Sequence, residues 1–295
     1  MNITLHDDVE ELIHELNQHG PSVVFGGYLR DRCLGQPSHD VDIATNIPME
    51  ELERLYGHYE KAGKRVTISG HHVFSFKLHR REKIFVEMVS MNGDVYEKGR
   101  EADYTINALI HDGHQLIDKT GTIRDMEGKW IREVDAEILK RDLTQRPFLW
   151  LKTLRLAATT GFAIADSVRQ ALHKHRNTVD LIPDAIRRTE GHKIMNGINP
   201  YLAMNVLAEL DFISPFAKAN FDREGTETMP PHHVLCYMAL KTNRQTIDDW
   251  STFSCFPNEL IEKYHELYEA YHRTDRLPNR LRQHVYNLRK LIEKS

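Results

Sequence analysis

The sequence predicts an α+β fold, an N-terminal head built on a mixed sheet followed by an all-helical neck and body. Three observations carry this expectation. Over roughly residues 20–134, short β-branched or aromatic runs alternate with helical segments. From Phe148 onward helical periodicity runs almost to the end. The texture changes near residue 135, and no repeat, low-complexity run or Pro/Gly-rich linker intervenes. The 295 residues suit about two domains. We divide them into a head over 1–134, a helical neck over 135–215 and a helical body or tail over 216–295.

The elements follow in order. Val9, Leu12, Ile13 and Leu16 recur at helical spacing within residues 7–19, and Gly20-Pro21 ends that helix. Ser22 to Phe25 reads as a short buried strand broken at Gly26-Gly27, with a brief helix after it that Gly35 stops. From His39 to Ala44 the residues alternate, with Val41 and Ile43 on one side and Asp40 and Asp42 on the other. Pro48 opens a helix carrying Leu52 and Leu55. Strands are predicted at Arg65–Ser69, Val73–Leu78 and Ile84–Val89, then a helix near Tyr104–Ile110. Gln115–Asp118 and Lys129–Val134 flank a turn around Gly121. Helices are predicted at about 148–160, 166–176, 185–196, 199–210 and 231–240, with two more after 256.

Composition narrows the class. A net charge of −4, 40 % hydrophobic and 28 % charged residues suit a globular protein with a proper core and exclude a highly basic one. No run approaches the roughly 18 apolar residues of a membrane helix, so no membrane partner is expected. The acidic start MNITLHDDVEEL lacks the basic and apolar regions of a secretory signal. Cys33, Cys236 and Cys255 lie far apart, without the pairing of a zinc ribbon or disulfide framework. A reducing cytoplasm is the expected setting.

The segment VVFGGYLRDRCLGQPSHDVDIATN, residues 23–46, carries the chemistry. Glycines at a helix start let backbone N–H groups approach an anion. Two carboxylates at i and i+2 on a strand converge on one side and suit a hard cation such as Mg²⁺. Either part alone is commonplace, a solvated strand edge or a turn. In this order, with a helix between, they equip a chain for phosphoryl or nucleotidyl transfer.

With these residues the sequence resembles the class II tRNA nucleotidyltransferases (CCA-adding enzymes) and bacterial poly(A) polymerases, whose head belongs to the polymerase-β-type nucleotidyltransferase superfamily. Gly26, Gly27, Arg30, Asp31, Asp40, Asp42 and Thr45 match the first motif, and Glu87 in FVEMVSM is the expected third carboxylate. The second motif is matched by Asp103, Tyr104, Thr105, Ile106, Asn107 and Ala108. Asp118, Gly121 and Asp125 follow the family's hairpin, and Arg155, Ala157, Ala158 and Gly161 its neck helix. Residues 190–212 keep the cadence of the helical segment beyond, so the likeness covers roughly residues 20–215.

The departures concern substrate reading. Two arginines usually precede the aspartate of the second motif and hold the triphosphate, where this chain has Glu101 and Ala102 with Arg100 displaced by one position. The base-reading neck positions hold Gln145, Arg146 and Leu149, with Lys152 for the next arginine. Ala185 and Ile186 replace two further residues of the family pattern, while Glu190 persists. The resemblance therefore leaves ATP and CTP both open as substrates. A lost charge-assisted phosphate contact weakens binding by roughly 1.5–3 kcal/mol, so Arg100, Arg146 or Lys152 are candidates to replace it.

The resemblance implies two Mg²⁺ ions held by Asp40, Asp42 and Glu87, the catalytic carboxylates. Gly26, Gly27, Arg30, Asp103, Asn107, Arg146, Lys152 and Arg155 are then the candidates to surround the nucleotide. For Arg30 and Asp31 a pairing that holds the first turn is weighed equally, and Asp103 and Asn107 read as fixing site geometry. The implied reaction is template-independent addition from NTPs to an RNA 3′ end, tRNA being favoured as partner. The alternatives are a poly(A)-polymerase-like tailing enzyme, a catalytically altered RNA-binding relative, or a transferase acting on a protein or small molecule.

Other features read more plainly. Histidines at 71–72 and 232–233 are adjacent and diverge, which makes poor metal pairs, and His39-Asp40 and His111-Asp112 lack the further ligands of an HD phosphohydrolase. All read as surface histidines. From Arg273 on, seven basic residues face two acidic ones, and a helix burying Leu281, Val285, Leu288 and Ile292 would turn that charge outward, a solvated face or an RNA contact. Phe148 and Trp150 read as core.

Overall fold

The alternation of residues 40–45 puts aliphatic side chains on one side of a strand and carboxylates on the other, and the surroundings of that strand decide what each side does. In the computed structural model, which describes residues 3–66, 72–216, 226, 229–273 and 277–294, the chain forms two compact units that divide between Leu139 and Lys140.

The first unit runs α1 (Asp7–Asn17), β1 (Ser22–Phe25), α2 (Gly27–Cys33), β2 (Asp40–Thr45), α3 (Met49–Tyr56), β3 (Glu60–Val66), β4 (His72–His79) and β5 (Lys83–Ser90). Two 3-10 turns follow, Val95–Glu101 and Thr105–Asn107, then β6 (Ile110–His111), β7 (Leu116–Ile117), α4 (Thr122–Glu127) and β8 (Trp130–Ile131). Seven strands make one sheet in the order β3-β4-β5-β2-β1-β6-β7. β2 and β5 pair in parallel and the other neighbours are antiparallel. The sheet is mixed, as predicted.

Strand register assigns side chains to two faces. Val24, Val41, Ile43, Phe74, Phe76, Val86 and Met88 share one face and are fully buried, where α1 packs on β1, α2 on β2 and α3 on β4. Each such side chain contributes roughly 1.5–3 kcal/mol by leaving water. On the other face Val23, Ala44, Val95 and Ile110 form a small cluster, with Phe25 and Tyr96 against it. Beyond that cluster the face carries polar groups. Asp8 of α1 ties the β4–β5 turn by accepting from the Arg81 and Glu82 backbone N–H groups and the Arg81 guanidinium. Burial opposes charge on Asp8, but these donors outweigh it and hold the carboxyl below its ordinary range.

Several local expectations are corrected here. The helix expected over Tyr104–Ile110 is the turn Thr105–Asn107 followed by β6, because Thr105 is drawn into hydrogen bonds with Arg132 and Asp125. The turn around Gly121 opens helix α4, since the Asp118 carboxylate accepts four successive backbone N–H groups from Thr120 to Ile123. The third strand is Glu60–Val66; residues 67–69 of its expected span, and His71, lie outside the described residues.

The second unit is helical. α5 (Ala136–Gln145) straddles the division, followed by α6 (Leu149–Thr160), the two-residue strand β9 (Ala163–Ile164), α7 (Asp166–Lys174), the 3-10 turn Arg176–Leu181, α8 (Asp184–Met195) and α9 (Pro200–Glu209). α10 (Pro231–Lys241), α11 (Arg244–Phe253), α12 (Asn258–His272) and α13 (Asn279–Lys294) complete it. α6 packs on α8 and α9, and α10 on α11, α12 and α13. Trp150 is core as expected, its indole N–H donating to Leu172 O. Phe148, expected in the core, is 38 % exposed because it lies just ahead of the first buried turn of α6.

His233 is not a surface histidine. It is 4 % exposed on α10, edge-to-face with His232 and with His284 of α13. Burial first, then the neighbouring His232 and His284, lowers its pKa to about 4. His111 is also buried, its Nδ1 accepting from Gly113 N–H. On α13, Val285, Leu288 and Leu291 face inward, with Leu291 taking the place expected for Ile292. Arg276 and Asp275 of the basic stretch lie outside the described residues. No described helix is long and apolar enough to cross a membrane.

Candidate active site

The strand–glycine–helix passage builds the site. β1 ends at Phe25, and Gly26 turns the chain into α2 with φ 85° and ψ −150°. A side chain there would be strained and would press on the carboxylate beside it, since its Cβ would stand 3.1 Å from Asp42 Oδ2. Gly26 thus brings backbone directly against Asp42.

Asp42 and Asp40 stand two residues apart on the polar face of β2. The parallel pairing places Glu87 of β5 beside Asp42 and Phe85 beside Asp40. The three predicted carboxylates therefore share one face of two adjacent central strands. They are all hard oxygen donors, the set a divalent cation such as Mg²⁺ takes. Among the described residues, however, no three His, Cys, Asp or Glu side chains already converge as a ligand set. The Glu87 carboxylate is turned to Arg65 of β3, at 2.5 Å.

Arg30 and Asn107 hold the neighbouring elements together. The Arg30 guanidinium donates to Asp31 Oδ1 at 2.9 Å from Nε and to Asn107 Oδ1 at 2.6 Å from Nη1. It joins α2 to the Thr105–Asn107 turn, and its side chain is only 13 % exposed. Thr45, also in the first motif, is fully buried, sharing a hydrogen bond with Ser22 Oγ and accepting from Ile47 N–H. Asp103 is buried at the start of the second motif, its carbonyl accepting from Val134 N–H. Asp125 accepts the Thr105 hydroxyl at 2.8 Å and stands beside the Arg124 and Arg132 guanidinium groups. Burial opposes charge on Asp118, but its four backbone donors hold the carboxyl low. These groups shape the loop beneath the site.

The cations differ from the sequence-based list. Arg100 is 63 % exposed and paired with Glu97. Lys98, which sequence reasoning passed over, is only 10 % exposed, pairs with Glu101 at 2.7 Å and lies over the Phe25 ring. Phe25 is the strand neighbour of Asp42, so Lys98 belongs to the surroundings of the carboxylates. Arg65 was missed too. Alternation along β3 could have placed it on the polar face, but no local signal says that β3 lies two strands from β5.

Arg146, Lys152 and Arg155 belong to the second unit. Arg146 pairs with the buried Asp142 one turn before it, and Asp142 also accepts from Arg141. Arg155 Nε lies 2.7 Å from the Glu190 carboxylate, which also takes Lys193. Lys152 is half-buried on α6.

Residues 22–132 match the poly A polymerase head domain. A CCA-adding enzyme of Staphylococcus aureus (strain bovine RF122 / ET3-1) is 24 % identical over 223 residues, covering 71 % of this chain and 55 % of that protein. A CC-adding tRNA nucleotidyltransferase of Halalkalibacterium halodurans is 28 % identical over 184 residues, 61 % of this chain and 45 % of the relative. The chain thus spans about half the length of these curated relatives. In three dimensions it is similar to the Bacillus stearothermophilus CCA-adding enzyme in complex with CTP, with TM-score 0.71 at 18 % identity over 99 % of this chain and 80 % of that one. It is also similar to the Thermotoga maritima CCA-adding enzyme complexed with tRNA, with TM-score 0.63 at 16 % identity over 100 % and 85 %. The chain therefore has the fold of the CCA-adding enzymes, and its residues 22–132 are similar to the poly A polymerase head domain.

Proposed function

We propose that this chain is a template-independent RNA nucleotidyltransferase that adds nucleotides from ATP, CTP or both to an RNA 3′ end, with tRNA the favoured acceptor. One observation carries the reading. Asp42 and Glu87 are neighbours on the parallel β2–β5 pair, Asp40 shares their face, and the Gly26 backbone abuts Asp42. The names of the relatives, and the CTP and tRNA bound in similar structures, support these classes of substrate and partner.

Asp40, Asp42 and Glu87 would hold two Mg²⁺ ions, which supply acidification of the attacking hydroxyl and neutralisation of charge on the reacting phosphate. The RNA 3′ oxygen forms a bond to the α-phosphorus, the bond to the β-phosphate oxygen breaks, pyrophosphate leaves and the hydroxyl proton passes to solvent. Gly26 and Gly27 keep the backbone open to the β- and γ-phosphates. Arg30, Asp31 and Asn107 hold α2 and the second-motif turn in place. Lys98, sharing its charge with Glu101, offers a cation near Asp42, while Arg146 and Arg155 are each balanced by a carboxylate on their own unit. ATP and CTP selection would fall to Arg146, Lys152 and the residues around them.

The test is labelling of tRNA transcripts that end before CCA, after C and after CC, each offered one labelled NTP with Mg²⁺. Incorporation that disappears with Asp40→Asn/Asp42→Asn supports the transferase, and the pattern of C and A defines the product. Runs of A on bulk RNA would make it a tailing enzyme. Tight tRNA binding with no incorporation on any RNA would overturn catalysis in favour of an RNA-docking protein.

A further inference from the structure

Glu87 and Arg65 are two strands apart, with β4 between them. In register Glu87 stands beside Ser75, and Ser75 beside Gly63; Arg65 stands one row further on, beside Val73 and Val89. Serine and glycine leave the Glu87 row low across β4. The Arg65 side chain crosses it diagonally, and its guanidinium reaches Glu87 Oε1 at 2.5 Å. Neither partner is buried, with Arg65 52 % and Glu87 28 % exposed.

This contact engages the carboxylate that β2 and β5 otherwise align with Asp42. A guanidinium is permanently charged and matches a carboxylate in shape, so it competes directly with a cation for the same oxygens. An exposed pair of this kind is weak and is screened by salt, so it can be exchanged for a divalent ion. On the same face of β4, Lys77 is engaged by Glu60 at 3.1 Å, whereas Arg65 is the partner of Glu87.

We propose that Arg65 is a positioning residue: it holds Glu87 away from Asp40 and Asp42 and must release it before Glu87 joins them at a divalent cation. The inference rests on the reading of Asp40, Asp42 and Glu87 as the metal carboxylates. Arg65 thereby sets the affinity of the RNA-free protein for the ion.

Mn²⁺ binding to the full chain without RNA or NTP, followed by the electron paramagnetic resonance signal of free Mn²⁺, tests this. Arg65→Gln should bind Mn²⁺ about two- to fivefold more tightly, the equilibrium counterpart of one exposed ion pair. Arg65→Lys, which keeps a charge, should stay close to the unmodified protein. The gain should vanish in Arg65→Gln/Glu87→Gln. A gain that persists in that double variant would mean a general field effect and overturn the latch, as would unchanged or weaker binding by Arg65→Gln while Asp42→Asn still abolishes it. Should Asp42→Asn leave Mn²⁺ binding intact, the metal site itself is wrong and the latch falls with it.

Discussion

The two faces of the head sheet come from the same alternating strands and meet opposite fates. On β2, which packs against α2, Val41 and Ile43 are fully buried, whereas Asp40 and Asp42 one residue away stay on a polar face with Glu87 and Arg65. The apolar face holds the sheet together through area removed from water. The other face adds a smaller apolar cluster around Ala44 and, beyond it, carries charge. On the proposed reading, stability and chemistry are therefore separable by substitutions on one face or the other.

The largest effect should come from the polar face and leave the fold intact. Asp40→Asn/Asp42→Asn should lower nucleotide incorporation on the order of 10³-fold, several kcal/mol of transition-state stabilisation, with the melting temperature nearly unchanged. A matching collapse of stability would break the separation. On the opposite face, Ile43→Ala leaves a cavity in a fully buried site and should cost about 3 kcal/mol in urea unfolding. Incorporation per folded molecule should persist.

The helical unit supplies a contrast in pH. His233 has a folded pKa of about 4 against 6.5 for an ordinary histidine. The unfolded chain takes up the proton first, so stability is present above pH 6.5 and falls as pH drops toward 4. Between pH 7 and 5 the loss should be on the order of 1–2 kcal/mol. Melting curves of the protein and of His233→Gln should converge as the pH is lowered; parallel curves would remove His233 from the account. The smallest effect lies where the two faces meet the turn. Gly26→Ala puts a side chain at φ 85° against Asp42 Oδ2, and should destabilise by about 1 kcal/mol while disturbing incorporation more than that loss explains. Equal losses in both would make Gly26 a turn residue only.

Much of the head was legible because its signals are local. Period-two alternation located β2 and set its carboxylates on one side, and Gly26-Gly27 marked the passage into α2. The polar loop after β5 was not legible in the same way. The second-motif residues looked helical, yet Thr105 and Asp125 pair across twenty positions and hold the chain in a 3-10 turn. The surface reading of His233 failed for a similar reason, since its burial comes with α10 meeting α13, where His233 packs against the distant His284. In the sequence Lys98 is one charge of the mixed run YEKGRE and drew no reading; its packing over Phe25 distinguishes it from the exposed Arg100.

By itself, then, the sequence determined the strand–helix–strand passage from β1 to β2, most of the later helices, the two-sidedness of β2 and the pair of carboxylates on its polar side, because each depends on residues a few positions apart. Tertiary structure alone decided that β5 lies parallel to β2 with Glu87 beside Asp42, and that Arg65 reaches Glu87 across β4. Strand order and register depend on which distant segments bury their apolar faces together, and no spacing along the chain records that choice.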